Sequence, residues 1–189
     1  MVVASRNPDK VREVEEILAA AAVEVVRGLE WPEVEETGET LEENAVLKAR
    51  AVMEATGMAA VADDTGLEVA FLEWGPGVRT ARFAGPEATY EDNVAELLRR
   101  LEGVGDRRAT FRSVVALVTP DGEELVAEGA LEGRIAEFPR GTYGFGYDPV
   151  FEVEGQTLGE LSSQEKHAIS HRARAVRALV ARFGELGGG

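Results

Sequence analysis

Two hydrophobic periods alternate along this chain, and the alternation is what most limits its fold. Short apolar runs of strand type at residues 2–4, 23–26 and 59–62 are interleaved with longer segments whose apolar side chains recur at helical spacing. The first of these opens at Asn7-Pro8, a capping residue followed by one suited to the first helical turn. It carries Val11, Val14, Ile17, Leu18 and Ala21 on one face. Thr40 with Glu43 forms a capping box ahead of a second helix, with Ala45, Ala49, Val52, Met53 and Thr56 in period and Gly57 as its stop. Thr89 with Asp92 opens a third, carrying Val94, Leu97, Leu98 and Leu101. A last helix starting near Ser170 carries Val176, Leu179, Val180 and Phe183. Residues 111–118 and 125–135, joined by Pro120-Asp121-Gly122, read as a hairpin of long strands. Residues 30–43, with seven Glu and no base, read mostly as loop, as does the Gly- and Pro-rich stretch that follows Gly66 and ends at Pro86. Together these elements predict an α/β fold with no internal repeat and no domain linker.

Length and charge narrow the reading further. At 189 residues the chain is sized for one domain, with residues 185–189 expected as a frayed tail. Asp and Glu total 35 against 20 Lys and Arg, a net charge of −15. Affinity for a long nucleic acid comes mainly from cations that neutralise phosphates, so such a partner is disfavoured. Cysteine is absent, which removes disulfides, thiolate metal sites and a cysteine nucleophile. The residues after Met1 lack the basic and apolar regions of a signal peptide, and no run reaches membrane-spanning length. The expectation is a soluble cytoplasmic protein without membrane contact.

Several segments carry chemistry. Lys10 falls in the first turn of the first helix, where the macrodipole disfavours a cation, and a bound anion would resolve the conflict. Ser5, Arg6, Asn7, Pro8, Asp9 and Lys10 would then surround a phosphate, although a capped helix with an exposed lysine fits the same residues. Of the 20 basic residues 17 are Arg, and only Lys10, Lys48 and Lys166 are Lys, as if a compact ammonium were required at those points. Asp63-Asp64-Thr65-Gly66 ends a short apolar run. Two adjacent carboxylates repel, and a divalent cation with oxygen ligands, Mg²⁺, would relieve the repulsion. A polar strand-end turn accounts for these residues equally well. Glu36, within the acidic run, is either a further metal carboxylate or part of a solvated surface. Gly144, Phe145, Gly146, Tyr147, Asp148 and Pro149 offer backbone donors, two aromatic faces and a carboxylate, able to read a purine or simply to plug the core. Lys166, His171 and Arg172 belong to a basic segment that either binds phosphate or a base carbonyl, or offsets nearby Glu. No His-Glu-x-x-His motif and no Gly-x-Ser-x-Gly elbow is present, which disfavours a zincin or an α/β-hydrolase.

Taken in order, these segments resemble the inosine/xanthosine triphosphate pyrophosphatase family over nearly the whole chain. The matching pieces are residues 5–10, Glu35-Glu36-Thr37-Gly38, Glu43-Asn44-Ala45 with Lys48-Ala49, residues 62–67, Ala81-Arg82 with Ala84-Gly85, residues 144–149, and Ser170-His171-Arg172. Thr65 stands where the family more often has Ser, and keeps the hydroxyl. The resemblance implies an elongated mixed sheet flanked by helices in two lobes with a central cleft, a homodimer, and hydrolysis of ITP, dITP or XTP to monophosphate and pyrophosphate. By the same resemblance Ser5, Asn7, Lys10, Lys48 and Thr65 hold the triphosphate, and Glu36 and Asp64 bind Mg²⁺. Phe145, Tyr147, Asp148, Lys166, His171 and Arg172 recognise the base. Lys10 and Lys48 would stabilise developing charge while Asp64, or Asp63 beside it, deprotonates water for attack on the α-phosphorus. The rival readings are a pyrophosphatase of broader or pyrimidine specificity, a nucleotide-sensing module without turnover, and an acidic scaffold domain.

Overall fold

In the computed structural model, which describes residues 1–187, the chain runs β1 (Val2–Val3), α1 (Pro8–Ala20), α2 (Leu41–Thr56), β2 (Ala60–Val69), β3 (Gly75–Gly77), α3 (Tyr90–Arg100), β4 (Arg108–Val118), β5 (Glu124–Ile135), β6 (Phe151–Val153), β7 (Gln156–Thr157), α4 (Ser163–Ile169) and α5 (His171–Gly187). Seven strands form one mixed sheet in the order β1-β2-β4-β5-β6-β7, with β3 paired to β2. β1 runs parallel to β2, whereas β2–β3, β5–β6 and β6–β7 are antiparallel. The fold is therefore the mixed α/β class that the two periods predict.

Local chemistry explains most of the helix starts. The Asn7 side-chain oxygen accepts from the amides of Asp9 and Lys10 at 3.0 and 3.3 Å, and Pro8 takes the first helical position. Thr40 with Glu43, Thr89 with Asp92 and Ser162 with Glu165 each form a complete capping box. Gly57 closes α2 in the left-handed region at φ 67°.

Two expectations need correction. Residues 23–26 form no strand. Val26 donates to the Met1 carbonyl and the Met1 amine to the Glu24 carbonyl, each at 2.9 Å, but two-residue β1 is too short to carry a ladder further. β2 does not stop at Ala62. It continues to Val69 because β3 pairs with residues 67–69 and Gly66 lets the Gly77 backbone approach closely. Asp63 and Asp64 thus lie inside a strand, not in a turn at its end. The last helix, expected to start near Ser170, begins at His171 as α5, and a short helix α4 that the periodicity does not mark precedes it and ends at Ile169. α5 includes residues 185–187 of the expected tail, while Gly188 and Gly189 lie outside the described residues. Among the described residues no helix is long and apolar enough to cross a membrane.

The chain forms two compact units. The first comprises Met1–Asp64, Ser113–Gly129 and α5; the second comprises Thr65–Arg112 and Ala130–Ser170. β2, β4 and β5 each contribute residues to both. In the first, Val14, Ile17 and Leu18 of α1 and Val176 and Leu179 of α5 bury against Val3, Val61, Val115 and Leu117. In the second, Leu97 and Leu101 pack with Leu67, Leu131, Ile135 and Leu158, and the Phe111 and Phe151 rings meet at 4.5 Å.

One glycine seats α5. A Cβ on Gly129 of β5 would overlap the His171 carbonyl oxygen and stand 2.5 Å from the Ala175 amide nitrogen, both backbone atoms. Gly129→Ala should therefore push back the first turn of α5. The expected cost is about 1–3 kcal/mol, a fall in Tm of roughly 2–12 °C for a chain of this size. Thermal unfolding measures it, and an unchanged Tm would show that α5 shifts freely.

Candidate active site

The strand β2 delivers two carboxylates in succession. Neighbouring strand residues project to opposite sides, so Asp63 meets α1 and α5 while Asp64 meets α2. Both are buried, at 3% and 6% exposure. Asp63 Oδ2 lies 3.3 Å from Lys10 Nζ and accepts from Arg172 Nε at 3.1 Å. Arg172 Nη1 also donates to Glu13 on α1. On the other side, Lys48 Nζ donates to Asp64 Oδ1 and to Glu36 Oε1, each at 2.8 Å. The mutual repulsion expected of the Asp pair is thus largely answered within the protein, because each carboxylate has its own cation.

The loop bearing Glu36 is tied to α2. Asn44, in the second turn of that helix, accepts from the Gly38 amide at 2.8 Å, and its amide approaches the Gly38 carbonyl at 3.4 Å. A Cβ at Gly38 would come within 2.7 Å of the Asn44 oxygen, which is why the loop can close there only on glycine. The turn before α1 is arranged similarly, with the Asn7 amide donating to Ser5 Oγ at 3.2 Å. Arg6 instead reaches the Trp31 carbonyl at 2.9 Å, Asp9 accepts from Arg12 at 2.9 Å, and Pro8 is exposed.

Burial sets the electrostatics of this cluster. It pushes the Asp64 carboxyl above the usual aspartate range, with Glu36 adding to the rise and Lys48 and Lys10 opposing it. Burial likewise pushes the Lys10 ammonium down; Asp63 and Asp64 oppose that fall, whereas Lys48 and Arg172 reinforce it. Burial also acts against the charge on Lys48, yet the fields of Asp64, Asp63 and Glu36 outweigh it and hold that ammonium above its usual range. In Arg172 burial is outweighed by Asp63 and Glu13. A buried site with ammonium groups held this close to carboxylates can bind an anion and accept a proton.

The chemistry of the donor set fits a hard divalent cation. Glu36 Oε1 and Asp64 Oδ1 converge on one ammonium, so two carboxylate oxygens already face a common cationic position. Among the described residues no three His, Cys, Asp or Glu side chains are grouped to hold a metal by themselves. Such a pair suits a hard divalent cation whose remaining oxygen ligands come from outside the protein.

A second cluster belongs to the second unit. Asp148, at 3% exposure, accepts from Lys166 Nζ at 2.5 Å and from the Phe145 amide at 2.7 Å. The same ammonium stands 4.9 Å from the centre of the half-buried Phe145 ring, which also touches Tyr90 at 5.8 Å. Gly144, at φ 73°, leaves no room for a Cβ against the Asp148 carboxylate, and Gly146 turns at φ 62°. Tyr147 is 5% exposed and belongs to the core, and its hydroxyl donates to the Thr80 carbonyl at 2.9 Å. Burial raises its phenol above the usual range. Of the two aromatics of this loop, then, Phe145 offers a partly open face and Tyr147 anchors the loop from beneath.

The structure brings Lys10, Glu36, Lys48, Asp63, Asp64 and Arg172 together in one cluster, and Phe145, Asp148 and Lys166 in the other. His171 is buried at the start of α5, and Thr65 is half-buried in β2. Lys166 and Arg172, six positions apart, belong to different units. Glu13 and Asn44 are the residues of the site to which motif reading assigns no role. For Glu13 the signal in the sequence is only a Glu on an otherwise apolar helix face; Asn44 falls in the matching Glu43-Asn44-Ala45 segment but is there an Asn inside a helix, where it is a poor former.

A family model described as the Ham1 family matches residues 1–182. The chain is 48% identical over 188 residues to the dITP/XTP pyrophosphatase of Bacillus licheniformis, covering 96% of each chain. Its fold is similar to that of a HAM1 protein from Coxiella burnetii, with a TM-score of 0.86, 42% identity, and coverage of 97% of this chain and 98% of that one. It is also similar to the nucleoside-triphosphatase / dITP/XTP pyrophosphatase of Mycobacterium abscessus, with a TM-score of 0.73, 48% identity, and coverage of 94% and 97%.

Proposed function

This chain belongs to the Ham1 family, and from that footing we propose that it hydrolyses dITP, ITP and XTP to the monophosphate and pyrophosphate, working as one functional domain over residues 1–189. The observation that carries the reading is Lys48 Nζ shared between Glu36 and Asp64 at 2.8 Å each, with Lys10 on Asp63 beside it. Two ammonium groups and two or more carboxylates in one buried cluster are what a metal-assisted phosphoanhydride hydrolysis requires.

The roles follow from chemistry. Glu36 and Asp64 hold Mg²⁺, which when bound neutralises charge on the triphosphate. Lys10 and Lys48 donate to phosphate oxygens, with Ser5, Asn7 and Thr65 adding neutral donors and Arg6, Pro8 and Asp9 completing the loop. Asp64, buried beside Lys48, takes the proton of the attacking water, with Asp63 keeping Lys10 in place. Water adds to the α-phosphorus, the bond to the bridging oxygen breaks, and pyrophosphate leaves. Phe145 stacks on the base, and Lys166, oriented by Asp148, donates to the 6-oxo group. Gly146 gives the backbone room, Tyr147 supports the loop, and His171 and Arg172 complete the assignment at the start of α5.

The protein acts on the soluble nucleotide pool, which supports a cytoplasmic location, and its net charge of −15 is unsuited to a nucleic-acid polymer. We place it as a homodimer, a reading supported by the exposed large side chains Phe71, Trp74, Phe138 and Tyr143. The test is product analysis with dITP, ITP, XTP, GTP and ATP, in Mg²⁺ and in EDTA. Pyrophosphate released only with the metal, and faster from the inosine and xanthosine nucleotides, is the expected result. Orthophosphate would move the attack to the γ-phosphorus, and tight binding without turnover would make the protein a nucleotide sensor.

A further inference from the structure

Glu13 lies on the inward face of α1, one turn beyond Lys10, and is 6% exposed among Val14, Ile17 and Leu18. It accepts from Arg172 Nη1, Arg172 Nε donates to Asp63 Oδ2 at 3.1 Å, and Lys10 Nζ stands 3.3 Å from that same oxygen. Two acids and two bases from α1, β2 and α5 therefore close a ring, with Lys10 and Glu13 joined again through the backbone of α1. We infer that Glu13 is a positioning residue for the hydrolysis: it orients the Arg172 guanidinium, and through it fixes the Asp63 carboxylate and the Lys10 ammonium. The inference rests on the reading above that Asp63 and Lys10 serve the reaction.

Stability alone does not account for Glu13. A buried ion pair is at best a weak stabiliser relative to an apolar pair of similar volume, so nothing in holding α1 to α5 requires charge here. Geometry does. Arg presents a planar fork able to grip one carboxylate through two parallel N–H groups. Glu13 draws one arm of that fork aside, so that Asp63 is held and is still within reach of Lys10. Without the Glu13 charge, the full attraction of the guanidinium falls on Asp63, drawing it from Lys10. The seat of α5 on Gly129 keeps the arginine from following its partner.

The test uses the full chain, with steady-state kinetics on dITP in Mg²⁺ and a thermal melt for each variant. Glu13→Gln keeps the shape and removes the charge. It should lower kcat about tenfold or more while KM stays within about threefold. Glu13→Asp keeps the charge, set back by one methylene, and should recover part of that loss. In an Arg172→Lys background, Glu13→Gln should cost less than about twofold further, because the two residues act as a unit. A folded Glu13→Gln protein with the kcat of the parent overturns the inference, as does a loss that only tracks the folded fraction. If Glu13→Gln does not fold, Glu13→Asp decides: a lowered kcat at unchanged KM supports the role, and parental kcat overturns it. Asp63→Asn separates the two levels. Parental turnover in that variant overturns the underlying reading, whereas its loss alongside fully active Glu13 variants overturns the positioning role alone.

Discussion

Asp64→Asn is expected to lower kcat by about 10²–10⁴, the range associated with loss of a positioned general base, while nucleotide binding changes far less. Asparagine keeps the shape of the side chain and can still accept from Lys48, so the 2.8 Å contact need not be lost. What disappears is the proton acceptor, together with one of the two carboxylates that face the Lys48 ammonium. Removing a negative charge beside an anionic substrate also relieves repulsion in the ground state. The dissociation constant for dITP in EDTA, measured by calorimetry, should therefore hold or tighten even as turnover collapses. The Mg²⁺ concentration needed for half-maximal rate should rise, since Glu36 is left as the single carboxylate of the pair. A variant with comparable kcat would remove Asp64 from the chemistry.

Lys166→Ala should weaken the preference for inosine over adenine nucleotides by roughly 5- to 150-fold, the span that corresponds to about 1–3 kcal/mol for one buried group left unpaired. The ammonium is a donor only, so it matches a 6-oxo group and faces the 6-amino group of adenine as donor against donor. Asp148 and the Phe145 ring hold that donor in one place, at 2.5 and 4.9 Å. The same substitution strips a buried carboxylate of its cation, and breaking such a pair typically costs about 3–5 kcal/mol. Specificity is thus to be read as the ratio of kcat/KM for ITP and ATP on protein shown to be folded. A ratio equal to that of the parent would take Lys166 out of base recognition. A lower Tm alone would not restore it.

Helix starts were the most legible part of the fold. Asn7-Pro8, Thr40 with Glu43 and Thr89 with Asp92 act within one turn of chain, and all three make the bonds their residue types dictate. The start of α4 carries the same signature, Ser162 with Glu165, but residues 163–169 offer only Ala168 and Ile169 as apolar positions and so show no period. β6 and β7, three and two residues long, are too short for alternation to mark them. The candidate site was legible as a set of segments, because an Asp pair, a capped turn at residues 5–10 and scarce lysines in an Arg-rich chain are written in the chain itself.

The partners of those groups were not. As adjacent residues, Asp63 and Asp64 read as one repelling pair; the pleat of β2 sends them to opposite sides, toward Lys10 and Arg172 in one case and Lys48 in the other. Lys166 and Arg172 read as one basic patch, yet the break at Ser170 gives the first to Asp148 and the second to Asp63. Glu13 belongs to no motif, and only the packing of α1 on α5 brings it to an arginine 159 positions away. Caps, periods and turn residues act over a few residues and so are determined by the sequence alone. Which buried charge meets which is decided by how helices seat on the sheet, because a carboxylate or ammonium taken out of water must be matched by whatever group the tertiary packing delivers to it.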